Sequence, residues 1–188
     1  MAAALVADAG IDAFTMESLA ERAGVSKGLG YAYFDNAGDL LLALFDREVA
    51  ALDRHVAEAI AAATGFEARL RVTLACWFDL VAERGPLLAA LFVPEGDGVL
   101  AQRRHARDRD VERYWAAMAV EEYGLDPDRS RAAASVLLAG TNGVLAQWRQ
   151  RRTSRDELID LFVTMTIGAL SALRTAAPGP DPARVRSH

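Results

Sequence analysis

An all-α fold, with a small helix-turn-helix at the N-terminus and a larger helical bundle behind it, is predicted by three observations. Apolar residues recur at helical spacing almost everywhere along the chain. No segment alternates apolar and polar residues over a strand-like length, and β-branched clusters are absent. The breaks between apolar stripes carry helix start and stop residues rather than hairpin turns. About nine helices are expected, three short ones before residue 35 and six longer ones after it. The chain divides on this reading into 1–45, 46–176 and a proline-rich polar tail, 177–188, expected to fray.

The elements follow in order. Thr15 is placed to cap a helix from Met16 to about Ala23. Gly24 suits the positive φ of a tight turn, and Val25 is expected to plug that turn into the core. Ser26 is placed to cap a second helix running to about Phe34. Leu19, Ala20, Val25 and Phe34 would face inward, while Lys27, Gly28, Leu29, Tyr31 and Tyr33 lie on or near the exposed start and face of the second helix. Leu40, Leu41, Leu44, Phe45 and Leu52 form the next apolar stripe. Thr64 and Glu67 bracket a capping box before the stripe Phe66, Leu70, Leu74, Trp77, Phe78 and Val81. Gly85-Pro86 ends that helix and starts a short one, and residues 94–98 read as a loop. Val111, Tyr114, Trp115 and Met118 mark the next helix, and Gly124 suits its left-handed end. Asp126-Pro127 is an N-cap with proline at the first helical position. It precedes the stripe Val136, Leu137, Val144, Leu145 and Trp148. Ser154 and Glu157 form a second capping box ahead of Leu158, Leu161, Phe162, Met165 and Leu170.

With 188 residues, 52% of them hydrophobic, the chain can bury one sizeable core or a small domain joined to a larger one. Cys76, the single cysteine, excludes an intrachain disulfide and a four-cysteine zinc site, and its apolar surroundings suit an inert thiol. His55, His105 and His188 do not pair at helical metal spacing. No nucleophile elbow and no glycine-rich phosphate loop is present, so neither an enzyme nor a cofactor is expected. The stretch Leu161 to Leu173 is expected to be too short, and too rich in Thr, Ser and Gly, to span a bilayer. No secretory signal opens the chain. A soluble cytoplasmic protein is expected. Net charge is −5, and residues 1–47 hold only Arg22, Lys27 and Arg47 against seven carboxylates. That balance argues against a nucleic-acid partner, because phosphate contacts usually need a basic face. The run Arg103 to Arg113 mixes both signs and reads as a solvated helix face.

Phe14 to Phe45 nevertheless resembles the TetR family of transcriptional regulators. The resemblance rests on Ala9-Gly10, Thr15 to Ala20, Ala23-Gly24-Val25-Ser26, Tyr31-Ala32-Tyr33-Phe34 and Asp39-Leu40-Leu41, in fixed register over roughly forty residues. It implies DNA binding, with Thr15, Ser26, Lys27, Gly28, Leu29, Tyr31 and Tyr33 at the interface. Several positions depart from the family pattern. Leu29 stands where a Thr is usual, Gly30 where a buried Leu is usual and Ala37 where a phosphate-binding Lys is usual. Two glycines weaken the reading helix by about 1 kcal/mol each relative to alanine.

The resemblance also implies a homodimer on a near-palindromic operator and a small-molecule effector. The dimer is expected through two helices, about Asp128 to Arg151 and Arg155 to Arg174, where Ala139, Gly140, Gly143, Gly168 and Ala169 would let backbones approach. The effector site is expected among Trp77, Phe78, Val81, Leu88, Phe92, Tyr114, Trp115 and Met118. Apolar walls with few charges imply a mainly apolar ligand, with no arginine cluster pointing inward. The family function implied is a repressor released by that ligand. The acidic N-terminal region, Gly30 and Ala37 motivate the rival reading, a TetR-like ligand-binding or interaction protein with weakened or lost DNA binding.

Overall fold

The helical periodicity is realised as eight helices, with no strand among the described residues. The computed structural model describes residues 1–11, 13–92, 98–150 and 153–175. The helices are α1 (Ala2–Ala9), α2 (Met16–Ala23), α3 (Lys27–Tyr31), α4 (Ala37–Ile60), α5 (Gly65–Phe92), α6 (Val99–Tyr123), α7 (Pro127–Arg149) and α8 (Arg155–Thr175). The expected tail, and most of the expected loop 94–98, fall outside the described residues. Two compact units emerge, one of residues 1–64 and 68–111, the other of residues 65–67 and 112–188.

The first unit is built on a core of Leu5, Val6, Phe14, Met16, Leu40, Leu41, Leu44, Phe45, Leu87 and Leu91, drawn from α1, α2, α4 and the end of α5. Phe45 packs against Phe92 in a tilted arrangement, 5.2 Å between ring centroids. Thr15 caps α2 as expected. Its hydroxyl accepts from the Ser18 amide at 3.1 Å, and Ser18 Oγ takes the Thr15 amide at 3.0 Å, closing a reciprocal box. Gly24 sits at φ 64°, a left-handed C-cap that a Cβ would strain.

Two expectations for the turn and its second helix need correction. Val25 does not plug the core; it is 42% exposed. The second helix ends at Tyr31, not near Phe34. Gly28 and Gly30 lie within its single turn, and each raises the entropy cost of ordering it. Gly30 has a packing reason: a Cβ there would lie 2.7 Å from Met16 Cε, so the α2 methionine fills the room left by the missing side chain. A Cβ at Gly28 would meet nothing within 4 Å. Gly28→Ala should therefore stabilise the protein by about 0.5–1 kcal/mol, seen as a rise of about 1–4 °C in thermal unfolding. A fall would mean that α3 needs the flexible backbone.

α5 carries an internal break. Arg84, at φ −131° and ψ 22°, leaves helical geometry just before Gly85-Pro86. Pro86 lacks the N–H that an unbroken helix would use. The expected stop and restart is thus a kink inside one element, which accounts for eight helices in place of about nine.

In the second unit Phe66, 1% exposed, packs edge-on against Trp115 at 5.0 Å and Tyr123 at 5.7 Å. The Phe66 amide donates to Glu122 at 2.5 Å. Burial raises the Tyr123 phenol above its ordinary range, and Glu122 adds to the shift. Gly124 is left-handed at φ 63°. Asp126 caps α7 by accepting from the amides of Asp128 and Arg129, at 2.9 and 3.1 Å, with Pro127 at the first position. Ser154 and Glu157 form the expected box. The same hydroxyl contact holds the Glu157 carboxyl below its ordinary range. α7 packs on α8, and a Cβ at Gly140 would lie 2.7 Å from Phe162 Cε2.

α8 corrects the expectation about bilayer length. At 21 residues it is long and apolar enough to cross a membrane by length and composition. Its buried Leu158, Ile159, Val163 and Leu170 account for part of that apolarity as core.

Candidate functional site

The face of α3 is solvent-exposed throughout. Leu29 is 47%, Tyr31 48% and Tyr33 77% exposed. Lys27, Gly28, Ser26 and Thr15 are exposed as well, so the seven residues expected at the DNA interface share access to solvent. α2 and α3 pack together, which presents this face on a supported element. Ser26 holds the N-cap position of α3 but makes no capping hydrogen bond with its side chain. Its hydroxyl is left for another acceptor or donor. Thr15 is already engaged in its capping box.

The cations of this head are answered internally. Lys27 forms an ion pair with Glu17 of α2, and Arg22 with Asp8 of α1. The hydrogen bond to Glu17 raises the Lys27 ammonium above its ordinary value, and the same bond holds the Glu17 carboxyl below the usual carboxylate range. Sequence charge showed the acidic surplus. It did not show that the surplus sits on the two cations themselves.

The eight residues expected around a ligand divide between the units. In the first, Phe78 is 0%, Leu88 4% and Val81 7% exposed, so all three belong to packed interior. Trp77 and Phe92 are half-buried, and their rings meet edge-on at 5.9 Å. In the second, Trp115 is buried against Phe66, Met118 is half-buried, and Tyr114 is exposed with its ring 5.2 Å from that of Trp115.

The expectation that no arginine cluster points inward is corrected. Arg104 is only 9% exposed, and its guanidinium donates to the Leu91 carbonyl at 3.1 Å. Desolvation lowers its pKa, against the pull of Asp108. Arg107 lies over the Trp77 and Phe92 rings, 5.9 and 5.6 Å from their centroids. Its side chain is 14% exposed, Nη2 reaches Asp53 at 3.0 Å, and the buried Nε has no hydrogen-bond partner. A buried donor left unmet costs about 1–3 kcal/mol. The run Arg103 to Arg113 is therefore not wholly a solvated face. Ala101, Arg104, Arg107, Asp108 and Val111 are all buried or half-buried. Their three- and four-residue spacing was the signal for one inward stripe.

Sequence reasoning also missed Glu48, which lies four residues after Leu44 and four before Leu52, on the apolar stripe of α4. It is 7% exposed and accepts from Arg47 and from Arg84, each at 2.7 Å. Arg84 is the kinked residue of α5. This group borders a cleft of about 460 Å³ walled by Ala3, Ala7, Glu83, Pro86 and Leu87.

On α7 the exposed positions Ala132, Val136, Ala139, Gly143 and Ala146 recur at three- and four-residue spacing. On α8 Leu161, Met165 and Gly168 do the same. Val136 is 73%, Leu161 55% and Met165 64% exposed. Within this chain Gly140 serves the packing of Phe162, whereas a Cβ at Gly143 or Gly168 would meet nothing within 4 Å.

Residues 1–44 match the family model for bacterial regulatory proteins of the tetR family. The chain is similar to the HTH-type transcriptional activator FasR of Mycolicibacterium smegmatis, 28% identical over 171 residues, which are 87% of this chain and 77% of the relative. Its fold is that of a TetR-like transcriptional regulator from Rhodococcus sp., at a TM-score of 0.75 and 17% identity, with 90% of this chain and 91% of the other covered. The transcriptional regulator FadR from Bacillus subtilis, solved in complex with stearoyl-CoA, aligns at a TM-score of 0.68 and 19% identity over 94% of this chain and 96% of its own.

Proposed function

We propose that this chain, which belongs to the tetR family of bacterial regulatory proteins, is a homodimeric repressor that leaves its operator when a mainly apolar small molecule binds against α5 and α6. The observation that carries the reading is the exposed face of α3 and the turn after it, where Leu29, Tyr31 and Tyr33 stand in solvent beside the capped α2 and its glycine turn. A group of large apolar side chains exposed together marks a surface for interaction. Two such helices related by a two-fold axis would enter successive major grooves, which makes the operator near-palindromic. Half-buried Trp77 and Phe92 supply an apolar ligand wall. The acyl chain on the ligand of the B. subtilis regulator supports a ligand of that kind. Ligand acts by binding one conformer more tightly than the other, since equal affinity would shift nothing. A soluble protein working beside DNA in the cytoplasm follows from this reading.

A second reading is activation, favoured by the name of the M. smegmatis relative. The test is a gel-shift titration of the full chain on DNA flanking its own gene, followed by a reporter driven by the shifted fragment. A sequence-preferring shift at low salt with reporter output falling supports repression. Output rising supports activation. No preference over scrambled DNA defeats both and leaves a ligand-binding protein that has lost DNA recognition.

A further inference from the structure

The Arg107 guanidinium lies over the Trp77 and Phe92 rings, and its Nε–H has no hydrogen-bond partner. We infer that Arg107 captures the anionic head of an amphipathic ligand whose apolar tail lies along the Trp77 and Phe92 rings. The inference rests on the reading of α5 and α6 as a ligand wall and adds to it the head group and its receptor.

Four observations carry it. Arg107 Nε is buried with no acceptor, although a guanidinium has five donors and no way to accept. Buried donors in folded proteins nearly always find partners, so an unmet one marks where an oxygen belongs. The guanidinium is held from two sides: its carbon lies over the Trp77 and Phe92 rings, 5.9 and 5.6 Å from their centroids, and Asp53 holds Nη2 at 3.0 Å. Asp53 is 58% exposed, so water screens its field and it neutralises Arg107 incompletely. Arg104, one turn away on α6 and itself buried, adds a second cation, with Asp108 near it. A planar, permanently charged donor at the end of an aromatic surface fits a carboxylate or a phosphate better than an alcohol. The two anions share this chemistry, and the experiment separates them.

The full-length protein would be titrated calorimetrically with dodecanoate, dodecyl phosphate and dodecanol, which share one tail and differ in the head. Wild-type protein should bind at least one anion about tenfold or more tighter than the alcohol. Arg107→Leu should bring that anion to the alcohol's affinity while changing the alcohol by less than about twofold. Selective loss of dodecanoate identifies a carboxylate head, and selective loss of dodecyl phosphate a phosphate. Arg107→Lys keeps the charge and loses the fixed Nε–H, and should recover only part of the preference. Should Arg107→Leu not fold, the wild-type preference and the lysine variant decide the matter. Equal binding of all three ligands by wild type, or an equal loss of all three in the variants, overturns the head-group assignment and leaves the ligand wall standing. Binding of none of the three removes the wall as well.

Discussion

Leu161→Arg combined with Met165→Arg should convert the proposed dimer to a monomer and weaken operator binding by about 100- to 1,000-fold. The two side chains are 55% and 64% exposed and four residues apart, so they stand on one face of α8. Exposed side chains contribute little to the fold of their own chain, and replacing them should cost it about 0.5 kcal/mol or less. At a two-fold interface the consequence differs. Each substitution occurs twice, and four guanidinium groups would be buried together at the interface, with Glu157, one turn before Leu161, the carboxylate nearest in sequence on that face. The small residues Ala132, Ala139, Gly143 and Ala146 on α7 allow helices to meet closely, and close meeting leaves no space for arginine. Loss of the dimer removes the second reading helix, and with it the effective concentration that makes the second half-site contact intramolecular. Light scattering at micromolar concentration gives the mass, and fluorescence anisotropy on the operator gives the affinity. A variant that remains dimeric and binds as wild type places the interface elsewhere.

The helices were legible because their signals are local. Caps such as Thr15, Asp126 and Ser154 act within three residues, and apolar spacing repeats within four. The misreadings came where a distant partner decides. Val25 resembles a core residue in composition, but nothing local says which way a turn residue points. Gly30 looked like a defect until Met16, fourteen residues away, was seen to occupy its space. Arg104 and Arg107 sat in a charged run that composition assigns to solvent; their spacing marks one stripe, but the Leu91 carbonyl and the Trp77 and Phe92 rings of α5 decide that it faces inward. The residues of α3 were legible as a surface because family register places them there. What that surface would meet is governed by charge pairs with α1 and α2, and these are tertiary.

Those pairs set the other large expected effect. Glu17→Lys should tighten operator binding by about 10- to 30-fold and steepen its salt dependence by roughly one unit. In the free protein Glu17 holds Lys27, the only lysine of the chain, in an exposed ion pair. A phosphate that takes Lys27 must displace Glu17 and then sit beside its carboxylate. The substitution removes that competitor and supplies a second cation in its place. Lys27→Ala should act oppositely, weakening binding to all sequences by about 3- to 10-fold and flattening the salt slope by about one unit. Acidity cannot release the restraint under ordinary conditions. The Lys27 hydrogen bond depresses the Glu17 carboxyl, so Glu17 stays ionised above the usual carboxylate range and loses its charge only as pH falls below it. Lys27, shifted upward by the same contact, stays protonated. The pair should thus leave binding flat between about pH 6 and 8, where neither partner titrates. Anisotropy titrations of the three proteins on operator and scrambled DNA, at several salt concentrations, test all of this together. If Glu17→Lys binds no tighter than wild type and Lys27→Ala no weaker, the pair lies off the interface and the phosphates run along another side of α3.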